Sequence, residues 1–177
     1  MEVPNQINEK EKYSSSTKNK LNSEWVLWAH FPHDTDWSVN SYKQIATIDS
    51  AEGVIAINDL LPEKLVKNCM LFLMKKGILP IWEDPANRDG GTFSYKILNK
   101  DVPMAWKNLS YTVLGETASF NDKVRESING ITISPKKNFC IIKVWMNNCE
   151  FQDPSVIEEV PGLSAKGCMF KKQLPEY

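Results

Sequence analysis

The sequence predicts an α+β fold on three observations. Short apolar runs bounded by turn residues recur along the chain, three segments carry helix start and stop signals, and one pair of runs is spaced as a hairpin. At 177 residues the chain is long enough for one domain with a sizeable core. Residues 1–20 are polar, charged and without hydrophobic period, which predicts a disordered tail ahead of a single domain over 21–177.

Glu24 to His30, with Trp25, Val26, Leu27 and Trp28, reads as a central strand. The loop after it opens at Pro32 and carries Trp37 among polar neighbours, which predicts an exposed ring. Tyr42 to Ile48 is the second strand. Asp49 as cap, with Glu52 reaching back, starts a helix that ends at Pro62. Its Val54, Ile57 and Leu61 face the sheet, while Ala51 and Ile55 lie on a second face and hint at a partner. Cys69 to Met74 and Phe93 to Leu98 supply two further strands.

Asp101 and Pro103 open a second helix that Gly115 closes, with Trp106, Leu109 and Val113 buried and Lys107, Tyr111 and Leu114 on the other side. Ser119 caps a third helix in which Phe120, Val124 and Ile128 repeat by four and Gly130 ends the run. Ile131–Ile133 and Phe139–Met146 form the hairpin. Alternation puts Phe139, Ile141, Lys143 and Trp145 on one face and Cys140, Ile142, Val144 and Met146 on the other. Asp153 to Gly162 holds one helical turn at most, and Gly167 to Leu174 reads as a last strand.

The functional signal is centred on Gly77 to Gly91, where an apolar lead-in ends at Trp82-Glu83-Asp84 and a turn-rich run brings the chain back. Alone, such a pair is more often a core ring with a solvated neighbour than a binding loop. Trp37, a second loop tryptophan, favours a slot with two indole walls. A flat ring for stacking beside a carboxylate suits one nucleobase, guanine, whose imino and amino hydrogens both donate to an acid. Near the hairpin turn, Lys136, Lys137 and Lys143 are either a solvated turn with a snorkelling lysine or a short basic cluster for phosphate oxygens.

Composition narrows the alternatives. Twenty-one basic residues against 22 acidic ones give a formal net charge of −1, so nucleic-acid contact is local and bulk attraction to a membrane is excluded. The most apolar run, Cys69–Met74, is too short to cross a bilayer, which points to the cytoplasm or nucleus. Cys69, Cys140, Cys149 and Cys168 lack paired spacing and read as free thiols. His30 and His33 flank Pro32 without a further ligand nearby, so neither a metal nor another cofactor is expected. The sequence offers no nucleophile–base arrangement and no phosphate-cradling glycine loop, so a catalytic residue is not assigned and the chain is not expected to be an enzyme.

In their order and spacing, Trp25-Val-Leu-Trp28, Trp37, Trp82-Glu83-Asp84, Asn87-Arg88-Asp89-Gly90-Gly91, Trp106, Leu114-Gly115-Glu116, Phe120-Asn121-Asp122, Asn129-Gly130 and Val144-Trp145 resemble the eukaryotic translation initiation factor 4E family. The similarity runs from about Leu21 to Met146. It implies a curved antiparallel sheet shaped like a cupped hand, about three helices on its convex back, and the 7-methylguanosine cap of messenger RNA in its palm. By position, Trp37 and Trp82 would sandwich the base, Glu83 would accept from its N1 and N2 hydrogens, and the Trp82 N–H would meet O6. Trp145 would lie near the methyl group, and the turn with Lys136 would meet the phosphates.

The chain also departs from the family. Thr92 stands where a basic residue follows Gly-Gly, and Ile141 and Asn138 stand where lysines are usual, leaving Lys143 and Lys137 as substitutes. Family members dock a scaffold, factor 4G, or inhibitory proteins through a first-helix tryptophan. Here that position is Ile55, with Ala51, Lys107, Tyr111 and Gly115 around it. The segment after Trp145 lacks the family's long helix. The resemblance therefore implies a divergent cap-binding protein that recruits messenger RNA to an initiation scaffold, or alternatively one that represses or stores it.

Overall fold

The structure, a computed structural model, describes residues 18–173. Seven strands build one antiparallel, curved open sheet: β1 (Lys20–His30), β2 (Lys43–Ser50), β3 (Met70–Lys75), β4 (Gly91–Leu98), β5 (Ile128–Pro135), β6 (Phe139–Met146) and β7 (Met169–Lys172). Their spatial order is β2-β1-β3-β5-β6-β4-β7. Four helices accompany them: α1 (Ala51–Leu60), α2 (Glu63–Asn68), α3 (Val102–Leu114) and α4 (Asp122–Ser127).

Period-two alternation divides the sheet. Trp25, Leu27 and Ala29 of β1 enter one large core with Leu71, Leu73, Phe93, Tyr95, Ile131, Ile133, Ile142 and Val144. Val54, Val66, Trp106, Leu109 and Val124 close that core from the four helices, so all of them back the same face. The opposite face carries a smaller cluster of Phe72, Met74 and Trp145 with Trp28, Tyr42, Met70 and Ile78 packed against it.

Most elements lie where the sequence puts them, with several corrections. The expected tail falls largely on residues 1–17, outside the described residues, but its last member is ordered: Lys20 already pairs with Ser50, and Asn19 donates to Glu52. Ser50, not Asp49, caps α1, its hydroxyl accepting from the Gly53 N–H, and Glu52 turns outward to Asn19. Pro62 does more than end α1. It starts α2, a fourth helix that the sequence reading omits, because proline is as good at a helix start as it is bad inside one. Leu114 is buried rather than outward.

The third helix is shorter than its repeat suggests. Asn121 caps it through the Lys123 N–H, so Phe120 precedes it and is 90% exposed. Ile128 and Gly130 belong to β5. A β-carbon at Gly130 would collide with the Met74 sulfur and the Leu73 carbonyl, so glycine is what lets β3 pass beside β5 there. As expected, one three-residue helical turn (Pro154–Val156) interrupts the segment after β6.

These burials predict opposite outcomes for two aromatic truncations. Trp106→Ala, emptying a site that is 2% exposed, lowers unfolding free energy by about 3–5 kcal/mol in urea titration, whereas Phe120→Ala stays within about 0.5 kcal/mol of the parent.

Candidate functional site

On the helix-free face, cross-strand pairing lines residues up in rows. Val26, Met74, Gly130, Trp145, Thr92 and Lys171 stand side by side from β1 to β7, and Trp28, Phe72, Thr132, Lys143, Ser94 and Met169 form the next row. The face therefore grades from apolar and aromatic side chains at β1 and β3 to the hydroxyls of β4 and the amines of Lys143 on β6 and Lys171 on β7, with Met169 apolar at the outer edge. Trp145 is only 7% exposed and serves as floor rather than wall. Its indole N–H, that of Trp28 and the Thr132 hydroxyl are buried without a protein partner. Such orphaned polar groups cost on the order of 1–3 kcal/mol each and are receptive to water or a ligand.

Two loops raise the two exposed tryptophans, Trp37 and Trp82, above this floor. Trp37 is 56% exposed, yet its loop is tightly tied. The Asp36 N–H donates to the Asp34 carboxylate, and the Ser38 N–H and hydroxyl both donate to Asp36. Those bonds from Ser38 hold the Asp36 carboxyl below its usual range. Beneath Trp37 lies His30, parallel to it within 3° and 4.1 Å away between ring centroids. Tyr42 meets His30 edge-on at 5.2 Å, and Phe72 meets Tyr42 at 5.3 Å.

Trp82 is 42% exposed at the tip of the second loop. Asp84, directly after Glu83, points inward, its carboxylate accepting from the Leu79 and Ala86 N–H groups. Asn87, fully buried, donates to the Leu79 and Ile81 carbonyls and accepts from Asn129. The β5–β6 register slips between Ile128 and Gly130, and Asn129 at that slip also donates to the Ala86 carbonyl. A β-carbon at Gly90 would collide with the Met146 carbonyl, so the loop's return strand lies flush on β6. Asp84, Asn87 and Asn129 thus hold the loop from below and leave Trp82 and Glu83 free above it. Glu83 is exposed, and its charge reaches Tyr42, whose hydroxyl is pushed up first by burial and then by that carboxylate.

At the other end of the face stand the lysines. Burial lowers the Lys143 ammonium from the usual lysine range, and the charges of Lys136 and Lys171 press the same way. Lys137 is exposed in the same turn as Lys136, but its charge is not among those acting on Lys143. Lys171 and Lys96 are absent from the sequence reading. Lys171 faces Thr92 across β4 and β7, and Lys96 faces Ile141 across β4 and β6. Two of the positions where the chain departs from the family pattern, Thr92 and Ile141, therefore have a lysine as cross-strand neighbour. Only the strand register shows this.

On the helical side, Ile55 is outward on α1 and Ala51 half-buried beside the cap. Lys107 donates to Asp59 at 2.8 Å and lies over the Tyr111 ring, tying α3 to α1, and Gly115 is exposed at the end of α3.

A family model described as "Eukaryotic initiation factor 4E" matches residues 20–166. This chain belongs to that family. Among its relatives, an initiation factor 4E homolog of Acanthamoeba polyphaga mimivirus is 30% identical over 67% of this chain and 51% of the homolog. Initiation factor 4E-2 of Schizosaccharomyces pombe is 30% identical over 87% of this chain and 61% of that protein. The chain thus spans about half to three-fifths of these relatives' lengths. Solved family members share the fold. Ascaris suum initiation factor 4E-3, in complex with an m2,2,7G cap, superposes with a TM-score of 0.66 at 21% identity, covering 75% of this chain and 76% of that one. A schistosome factor 4E, in complex with m7GpppG and 4E-BP, gives 0.68 at 22% identity, covering 76% and 75%.

The tethering of the Trp82 loop is open to test. Asn87→Ala orphans two carbonyls and an amide donor, lowering stability by about 2–4 kcal/mol and speeding hydrogen exchange at the Leu79 and Ala86 amides relative to β1 and β3.

Proposed function

We propose that this chain binds the 7-methylguanosine cap of messenger RNA, without catalysing a reaction, and brings the capped message to a translation-initiation scaffold in the cytoplasm. The observation that carries this reading is the pair of loop indoles, Trp37 and Trp82. Trp82 is kept outward by the buried Asn87 bonds and Trp37 by the buried His30 ring beneath it, above a face with an acid at one end and lysines at the other.

Methylation at N7 makes guanine cationic. Stacking between Trp37 and Trp82 then gains a cation–π contribution of roughly 0.5–2 kcal/mol over neutral guanine. Glu83 accepts from the N1 and N2 hydrogens of the same cationic ring, so those bonds are charge-assisted, and the Trp82 N–H serves O6. Trp145 lies under the methyl group as an apolar floor. The phosphates meet Lys136, Lys143 and Lys171, with Lys137 and Lys96 at the margin; like-charged side chains held together are relieved by a polyanion. On the back, Ala51, Ile55, Lys107, Tyr111 and Gly115 receive a helix with Tyr-x-x-x-x-Leu spacing, from a scaffold resembling factor 4G or an inhibitory binding protein. Ile55 offers that helix less surface than a tryptophan would.

A 7-methyl-GTP resin tests the reading. The parent chain is retained and eluted by 7-methyl-GTP but not by GTP, and Trp37→Ala, Trp82→Ala or Glu83→Ala abolishes retention; normal retention of all three variants contradicts it. Lys171→Ala weakens binding about threefold to tenfold and makes it less sensitive to salt, measured by titration between 50 and 300 mM KCl, salt concentrations of roughly the range over which screening changes.

A further inference from the structure

His30 is one of two histidines in the chain, and cap binding as proposed above does not use it directly. It sits at the end of β1, on the palm side, 3% exposed. Its ring lies flat against the inner face of Trp37, whose outer face is the one open to a ligand. Nε2 is 2.8 Å from the Asp36 carbonyl oxygen, which can only accept, so Nε2 carries a proton in either charge state. A second proton therefore goes to Nδ1 and leaves the anchoring bond intact. The ring keeps its place while its charge changes.

We propose that His30 is a positioning residue that makes cap affinity pH-dependent: neutral, it backs Trp37 and leaves the indole's π-electrons to the ligand; protonated, it competes with the cationic base for them. An indole flanked by cations on both faces binds the second one less well than the first. Binding of the methylated base and protonation of His30 thus oppose each other, and by linkage affinity is full where the imidazole is neutral and falls as it protonates.

The surroundings isolate this effect. From the loop after β1, Asp36 and Asp34 lie at the ring's anchor, with His33 exposed nearby; Tyr42 comes from just before β2 and Lys43 from its first position. From the residue before β3, Cys69 donates its thiol to the His30 carbonyl, and Glu83 of the second loop reaches Tyr42. Burial pushes the Tyr42 and Cys69 groups up, and the Ser38 bonds hold Asp36 down, so these three keep one charge state between pH 5.5 and 7.5. The imidazoles are the side chains that ordinarily change charge in that interval.

The test is a titration of tryptophan fluorescence with m7GpppG at pH 7.5 and 5.5 for the parent, His30→Phe, which keeps a stacked ring without the proton, and His33→Asn, which suits the left-handed backbone found at that position. Ionisations of the ligand are common to all three and cancel in the comparison. The parent and His33→Asn lose about threefold to tenfold more affinity on acidification than His30→Phe does. An equal pH response in the parent and His30→Phe overturns the inference while leaving the cap-binding reading intact. The inference rests on that reading, so absence of binding by the parent at pH 7.5 overturns both. Without ligand, acid quenching of Trp37 emission that His30→Phe lacks reports the same proton; its absence in the parent counts against the stack as a titrating unit.

Discussion

Each central strand of this sheet must serve two surfaces at once, and that constraint shapes everything else. In an antiparallel sheet successive side chains alternate between faces, so β1 sends Trp25, Leu27 and Ala29 to the helices and Val26, Trp28 and His30 to the palm. The helix-backed core, with Trp106, Leu109 and Val113 of α3 at its centre, provides the rigidity. Because that core is close-packed, the opposite face is held in fixed register, and residues from six strands meet in rows without any loop having to bring them together. The loops then have only one task each, to raise an indole above the floor.

They do so by burying polar groups rather than apolar ones. Asp84, Asn87 and Asn129 are nearly or fully buried and bond to backbone groups of the loop and to one another. Such a network rigidifies a segment that lacks the apolar residues to pack itself, since breaking any member leaves a buried group unpaired. On the other loop the means differ: the Asp34–Asp36–Ser38 bonds lie at the surface and fix the local turn, and the buried His30 ring backs Trp37. Two indoles held open in this way keep the cost of ordering a binding site low when a ligand arrives.

Much of this was legible in the sequence. The alternation of Phe139 to Met146, the buried stripe of α3 and the polar setting of Trp37 each follow from local pattern, and the structure bears them out. What the sequence hides depends on partners distant in the chain. Lys96 and Lys171 become neighbours of Ile141 and Thr92 only through strand register, which a single sequence does not specify. Phe120 matches the helical repeat of Val124 and Ile128, but the Asn121 cap starts the helix two residues later than a Ser119 cap would and leaves the ring outside. His30, weighed in the sequence only as a metal ligand, turns out to be the underside of Trp37, because the loop folds back on the end of its own strand.

The central claim is that Trp37 and Trp82 close on a positively charged purine. Its most direct test is the quenching of intrinsic tryptophan fluorescence by 7-methyl-GTP compared with GTP at equal concentration. The account predicts strong, saturable quenching by the methylated nucleotide that disappears when either indole is replaced, and little by GTP. Equal quenching by both nucleotides, or quenching that survives the loss of both indoles, would contradict it.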